Sequence, residues 1–156
     1  MKRNSDEKAM AYACRLLSLR LRSEAELKER LALKGFARVV VENVVSVLKN
    51  KKIVDDLRFA KAWVESRMRT NPKGSILLKR ELKKKGIEDS LIAEAMPDKK
   101  DGEDKVAATI ARRKFETLKN MPRAKARKKL FDFLARRGFD FGIIEETLNE
   151  LFSNTD

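Results

Sequence analysis

The sequence predicts an all-α protein made of three tandem three-helix repeats, helix-turn-helix-like in plan, that form an elongated, curved molecule. Composition favours helices, because 39% of the 156 residues are charged and there are only six glycines and three prolines. Apolar residues make up 42% of the chain, which is enough for a buried core. The third observation is a repeat, since LKRELKKKGI at 78–87 has counterparts in LKERLALKGF at 27–36 and LFDFLARRGF at 130–139.

The repeated segment marks the end of the middle helix of each repeat. Two leucines four residues apart, such as Leu78 and Leu82, define one buried stripe, and a basic residue then precedes a glycine. Glycine adopts a positive φ at little cost, so Gly35, Gly86 and Gly138 are predicted to follow the last helical turn. The apolar residue after each glycine is expected to close the cap.

A further helix is predicted on each side of the repeated segment. The run from 59 to 67 matches the run from 12 to 20 at a constant offset of 47 residues, which indicates a preceding helix. Apolar-periodic runs at 40–48, 91–96 and 143–151 indicate a following helix in every repeat. The predicted domains are therefore residues 1–52, 53–100 and 101–156.

Helix-start signals agree with this division. Ser23 followed by Glu26 has the spacing of a capping box at the start of the first middle helix. Either Asp55 or Asp56 is predicted to cap the first helix of the second repeat. Pro122 suits the first turn of the third middle helix.

The chain is strongly basic. Lys and Arg number 37 against 24 Asp and Glu, which gives a formal charge of +13. Such an excess concentrates polyanions near the surface, so the expected partner is nucleic acid, an anionic membrane or an acidic protein assembly. No apolar run is long enough to cross a bilayer, and residues 1–10 lack the apolar middle of a signal peptide, so we expect a cytoplasmic protein. The one cysteine, Cys14, is predicted to be a small core residue.

Nothing in the sequence predicts an active site. Histidine is absent, which removes the commonest general base, and one cysteine cannot build a thiolate zinc site. An acid pair such as Asp55 and Asp56 is typical of a helix cap, and no third ligand stands at a metal-site spacing. Gly74 and Ser75 are not followed by the Gly-Lys pattern of a phosphate-binding loop. We therefore expect a non-enzymatic protein without cofactor or metal; a carboxylate-dependent hydrolase is the weakest alternative.

The second repeat carries residues that resemble a known family. The array DDLRFAKAWVESR at 55–67, followed by GSILLKRELKKKGI at 74–87, is similar to the central signature of the RecX regulatory proteins, which modulate the recombinase RecA. The first repeat, from 13 to 35, resembles the N-terminal repeat of that family, and the third resembles it more weakly. The signature residues are Asp55, Asp56, Phe59, Ala60, Trp63, Gly74, Leu78, Glu81, Leu82 and Gly86.

The resemblance implies a function that composition does not show. It implies a protein that binds the RecA filament on single-stranded DNA and inhibits its ATP hydrolysis, strand exchange and coprotease activity in DNA repair and recombination. We expect a monomer that binds nucleic acid weakly and without sequence preference, with no membrane partner. The alternative is an autonomous basic helical protein that binds DNA or RNA without a recombinase.

Two basic clusters are the candidate contacts for the filament or for nucleic acid. With Leu78 and Leu82 facing inward, the helical period places four basic residues on the outward side of the second middle helix. Like charges at i and i+4 repel by about 0.2–0.5 kcal/mol per pair, so stability alone does not favour this face. The candidate residues are Arg67, Arg69, Lys73, Lys79, Arg80, Lys83, Lys84, Arg112, Arg113 and Lys128.

The single tryptophan is predicted to pack in the core. Trp63 aligns with Leu16 of the first repeat, and a base-stacking platform is not expected to be replaced by an aliphatic residue. Arg67 is predicted to lie over the rim of its indole. Stacking of Trp63 on a base is the alternative.

Overall fold

The chain is described by a computed structural model that covers residues 2–97 and 102–154. Within these residues the chain forms nine helices and no strand, in three successive groups of three, which confirms the predicted all-α repeat fold. The helices are α1 (Lys2–Leu19), α2 (Glu24–Leu33), α3 (Arg38–Asn50), α4 (Asp56–Thr70), α5 (Ser75–Lys84), α6 (Asp89–Ala95), α7 (Glu103–Glu116), α8 (Arg123–Arg136) and α9 (Phe141–Ser153).

The helices pack into two compact units. The first unit comprises Met1–Trp63 together with Leu82–Ala95, and the second comprises Val64–Glu81 together with Met96–Asp156. The divisions between the units fall inside α4 and α5. The second group of three helices therefore contributes residues to both units.

The core of the first unit lies among α1, α2 and α3. Leu27 and Leu31, the predicted stripe of α2, are both fully buried. Helix α1 contributes Ala13 and Leu16 to the same core, whereas Cys14 is exposed, so the prediction that Cys14 lies in the core is wrong. The reason is geometric, because each residue turns about 100° from the one before it and Cys14 therefore points away from the face that carries Ala13.

The core of the second unit lies among α7, α8 and α9. Leu130 and Leu134 of α8 are fully buried, as the repeat predicts, and pack with Ile144 and Leu148 of α9. Helices α7 and α9 also meet through an edge-to-face aromatic pair, with ring centroids of Phe115 and Phe152 5.4 Å apart. Each of these two cores is continuous within its own unit.

Each middle helix ends at a glycine in the left-handed region, as predicted. The φ angles are +100° at Gly35, +77° at Gly86 and +89° at Gly138. The residue after each glycine donates its backbone N–H to the carbonyl five positions earlier, at 3.2 Å in the first repeat, 3.1 Å in the second and 3.3 Å in the third. This is the hydrogen bond of a Schellman cap, which satisfies carbonyls at the helix end.

The helix starts are capped largely as the sequence indicates. Ser23 and Glu26 form the predicted capping box at the start of α2. Of the two candidate caps for α4, Asp55 is the one that accepts the backbone N–H of Arg58, at 3.0 Å. Pro122 occupies the cap position immediately before α8, one residue earlier than predicted.

Candidate functional site

The outward side of α5 carries a face of four basic residues. Lys79, Arg80, Lys83 and Lys84 are all exposed, while the leucines between them face inward. Leu78 keeps 1% of its surface exposed and Leu82 keeps none. We call these four residues the α5 basic face.

Few carboxylates compensate the α5 basic face. Lys83 lies 3.2 Å from Asp89, but both side chains are more than half exposed, at 63% and 78%, so water screens the pair. Lys79, Arg80 and Lys84 make no ion pair with any residue in the described part of the chain. The face therefore presents positive charge to solvent.

Glu81, the one acid on α5, faces two cations on its other side. Its carboxylate accepts a hydrogen bond from Arg67 Nε at 3.2 Å and a second one from Lys73 Nζ. Arg67 and Lys73 are half-buried, whereas Arg69 is exposed. Arg67 and Lys73 thus bind α5 through Glu81 within the second unit. Glu81 therefore does not neutralise the α5 basic face.

The equivalent surface of α2 is neutralised. Lys28, which aligns with Lys79, pairs with Glu24 at 3.1 Å and with Glu42 at 3.0 Å. Hydrogen bonds to Glu42 and Glu24 raise the pKa of Lys28. The outward side of α5 therefore carries three unpaired cations, whereas the aligned positions of α2 carry one cation, which is paired.

The candidates in the third repeat lie on two helices. Arg112 and Arg113 are exposed on α7, and Lys128 is exposed on α8. Arg112 lines a pocket of about 350 Å³ with Phe115 and Thr147. Arg113 lines a different pocket.

Trp63 packs against its own helix. Its ring stacks on Phe59 with the centroids 5.8 Å apart and the planes 27° apart. The ammonium of Lys85 lies 5.2 Å from the centroid of the indole. Trp63 is half-buried and lies outside the buried core, so it packs less deeply than predicted.

In the first unit, the carboxyl end of α5 meets the amino end of α2. Ser23 Oγ donates to the backbone carbonyl of Lys85 at 2.6 Å, and Lys85 Nζ lies 2.6 Å from Glu26 Oε1. A Cβ built at Gly86 would lie 2.4 Å from the Cβ of Ala25. We call this contact the first joint; it needs glycine at 86 for its space as well as for its φ angle.

In the second unit, the carboxyl end of α8 meets the amino end of α5 in the same way. Gly74 donates its N–H to the carbonyl of Arg137 at 2.7 Å, and Ile76 donates to the carbonyl of Gly138 at 3.1 Å. A Cβ at Gly74 would lie 2.2 Å from that Gly138 carbonyl oxygen. We call this contact the second joint.

An acidic side chain from the following repeat completes each joint. Asp56 accepts the backbone N–H of Glu24 at 2.8 Å in the first joint, and Glu103 accepts that of Ser75 at 2.7 Å in the second. Carboxylates at these positions interact favourably with the positive ends of α2 and α5. Glu103 is only 5% exposed, so the interaction is shielded from water.

The charged and hydrogen-bonding groups of the first joint lower the pKa of Glu26. Burial opposes the ionisation of Glu26, but hydrogen bonds from Arg20, Lys85 and the backbone of Ser23 outweigh it and lower its pKa to about 2. Asp56 behaves in the opposite way, because burial raises its pKa despite the hydrogen bond from Glu24.

Comparison with known proteins decides the family. Models of the RecX first, second and third three-helix domains match residues 9–48, 55–96 and 102–148. The regulatory protein RecX of Chlorobium limicola is 38% identical over 149 residues, which cover 96% of this chain and 92% of the relative. The chain belongs to the RecX family. The RecX of Chlorobium phaeobacteroides is 37% identical over 147 residues, with 94% and 95% of the two chains covered.

A solved structure supports the RecX fold. The crystal structure of RecX from Lactobacillus salivarius has a TM-score of 0.88 to this chain at 24% identity, and the match covers 95% of this chain and 97% of that one. Within residues 2–97 and 102–154, no helix is long and apolar enough to span a membrane.

The signature residues of the second RecX domain now have physical roles. Asp55 caps α4 and Asp56 caps α2, so the acid pair serves two helices rather than one. Phe59, Ala60, Leu78 and Leu82 are buried. Glu81 holds Arg67 and Lys73, and Gly74 and Gly86 supply the close approaches at the two joints.

The contact of Glu103 in the second joint and the contacts of Lys85 in the first joint were not predicted from the sequence. Glu103 stands at the start of α7, where an acid is ordinary, and its partner Ser75 is 28 residues away. The sequence does carry one signal for these contacts. Asp56 and Glu103 occupy equivalent places, because each acid lies in the first turn of the first helix of its repeat.

Proposed function

We propose that this RecX family member binds the RecA nucleoprotein filament on single-stranded DNA and inhibits its ATP hydrolysis, strand exchange and coprotease activities. The observation that supports the proposal is the α5 basic face, four exposed cations within the second RecX domain of which three have no ion-pair partner among the described residues. Such a face attracts the phosphates of DNA or an acidic protein surface. It would serve DNA repair and recombination.

The charge pattern suits binding to a filament regardless of the base sequence of its DNA. Contacts with phosphates fix orientation without reading bases, so a regulator that uses them can engage a filament anywhere. Each phosphate neutralised adds about 0.7 to the salt slope of binding to a single strand. The α5 basic face keeps two repulsive i, i+4 pairs, each of about 0.2–0.5 kcal/mol, which a partner anion would relieve.

The mechanism needs no catalytic group on this chain. A monomer that occupies the surface between RecA protomers would hinder the motions that accompany ATP turnover. It would thereby slow hydrolysis, strand exchange and coprotease activity together. The regulation acts in the cytoplasm, where the filament forms.

The test is co-sedimentation with RecA filaments across a salt series. The variant changes Lys79, Arg80, Lys83 and Lys84 to Ala, and should lose most filament binding and lower the salt slope. The matched control removes the same charge from four exposed basic residues of the first repeat that make no ion pair with described residues, namely Lys8, Arg15, Arg30 and Arg38. The control should retain binding.

Two outcomes would contradict the proposal. Unchanged RecA-catalysed ATP hydrolysis and LexA cleavage at stoichiometric amounts of the protein would exclude inhibition. Equal losses in the α5 variant and the control would remove the α5 basic face from the interface. Salt-sensitive binding to bare DNA with no preference for the filament would favour the autonomous nucleic-acid-binding alternative.

A further inference from the structure

A cationic pocket lies in the second unit, apart from the residues of the α5 basic face. Its volume is about 440 Å³, and its walls come from the end of α4, from α7 and from the end of α8. Three of the lining side chains, Arg113, Lys114 and Arg137, are basic, and no lining residue is acidic. A concave surface with three positive charges is suited to an anion.

The positive charges in this pocket are not neutralised by carboxylates. Arg137 Nη1 donates to Asn71 Oδ1 at 3.1 Å and to the carbonyl of Pro72 at 3.3 Å, both neutral acceptors. Lys114 Nζ lies 5.5 Å from the centroid of the Phe133 ring, and the Arg137 guanidinium lies 5.1 Å from it. Arg113 is exposed and makes no ion pair with any described residue.

Two other cations of the same unit are paired with carboxylates. Arg127 lies 2.9 Å from Glu145, and Lys119 pairs with Glu116. Arg113 and Lys114 lie in the last turn of α7, where the helix macrodipole stabilises positive charge. The macrodipole does not explain why these cations line a concave pocket or why no acidic residue lines it. The grouping of three cations without a carboxylate around one pocket is therefore not explained by the helix dipole alone.

The other lining groups narrow the class of ligand. Phe133, Ile110 and Pro72 supply apolar surface, and Thr109 is one of three lining threonines. A ligand with a phosphate, a hydroxylated ring and a flat base would fit these groups. The phosphate would meet the cations, the ring hydroxyls would meet the threonines, and the base would meet the apolar walls. The volume lies within the range of small-ligand sites. We propose that the pocket binds a nucleoside phosphate unit, either a free mononucleotide or one nucleotide of a single strand.

This proposal goes beyond the regulation of RecA and does not depend on it. The experiment therefore uses the full chain without RecA. Binding of a fluorescein-labelled dT5 strand is followed by anisotropy, and thymidine monophosphate and thymidine serve as competitors. The strand provides one source of the nucleotide unit, and the monophosphate provides the other.

The decisive comparison is between two alanine variants of equal charge. Arg113→Ala removes a cation from the pocket, and Lys125→Ala removes an exposed cation of α8 that does not line it. We expect Arg113→Ala to weaken the binding by about tenfold, the effect of losing one charge-assisted hydrogen bond, and Lys125→Ala to weaken it less than twofold. Thr109→Glu, which adds a carboxylate to the wall, should weaken binding similarly, with Thr109→Gln as its neutral control.

The competitors identify the source. Displacement of the strand by thymidine monophosphate but not by thymidine supports a free nucleotide as ligand. Binding of the strand alone, with the same dependence on Arg113, supports a nucleotide within a strand. Equal losses in Arg113→Ala and Lys125→Ala, equal competition by thymidine and its monophosphate, or no binding of either probe would overturn the proposal.

Discussion

Substitution of Gly86 by alanine tests whether the first joint contributes to the stability of the fold. A φ of +77° costs an alanine about 1–2 kcal/mol. The new Cβ would in addition lie 2.4 Å from the Cβ of Ala25, so the carboxyl end of α5 must move away from α2, at a cost of about 1–3 kcal/mol for overpacking. We therefore expect Gly86→Ala to lower the free energy of unfolding by about 2–5 kcal/mol.

Gly35 offers a matched control in the same unit. Its φ is +100°, but a Cβ built there has no atom within 4 Å, so Gly35→Ala should incur only the backbone cost of about 1–2 kcal/mol. Both variants would be unfolded in urea and followed by circular dichroism and by the fluorescence of Trp63. The indole lies 5.2 Å from the Lys85 ammonium and so reports on the joint.

A double variant separates the contact from the backbone strain. Ala25→Gly removes the Cβ that Gly86→Ala would meet, so the pair of changes should be less destabilising than the two single effects combined. Equal midpoints for Gly35→Ala and Gly86→Ala, or strictly additive effects of the changes at 25 and 86, would refute the assigned role of the joint.

Three other perturbations follow from the described contacts. The folded-state pKa of Glu26 is lowered from 4.5 to about 2, so the stability that Glu26 contributes is complete above the unfolded pKa and is lost as the pH falls toward 2. In Glu26→Gln, the urea midpoint should therefore depend less on pH over that interval. Asp56→Ala and Glu103→Ala should each cost about 0.5–2 kcal/mol in urea unfolding, and the amide variants should recover part of it. The four-alanine variant of the α5 basic face should keep or slightly raise its thermal midpoint, because two repulsive pairs disappear; a fall of several degrees would show a structural role.

Local sequence signals predicted most of the fold. Gly35, Gly86 and Gly138 could be placed at helix ends because a positive φ and a closing apolar residue are properties of neighbouring residues. The capping box of Ser23 and Glu26 is equally local, with both partners within one turn. Such features depend on spacing in the chain, and spacing is what a sequence records.

The partners of charged residues could not be predicted in this way. Arg67 and Lys73 looked like members of one basic cluster, but in the folded chain both hold Glu81. Asp56 looked like a cap for its own helix and instead caps α2, 32 residues earlier. These contacts arise from tertiary packing, which the helical period of a single segment does not specify.

The division of α5 between a buried frame and an exposed face has a consequence for protein engineering and for evolution. Helix α2 has the same frame, and at the aligned outward positions Ala32 and Leu33 are exposed. Basic residues introduced there would lie outside the buried stripe formed by Leu27 and Leu31. The repeat therefore separates the positions that specify folding from those that specify an electrostatic surface, so one scaffold can gain or lose such a surface without being rebuilt.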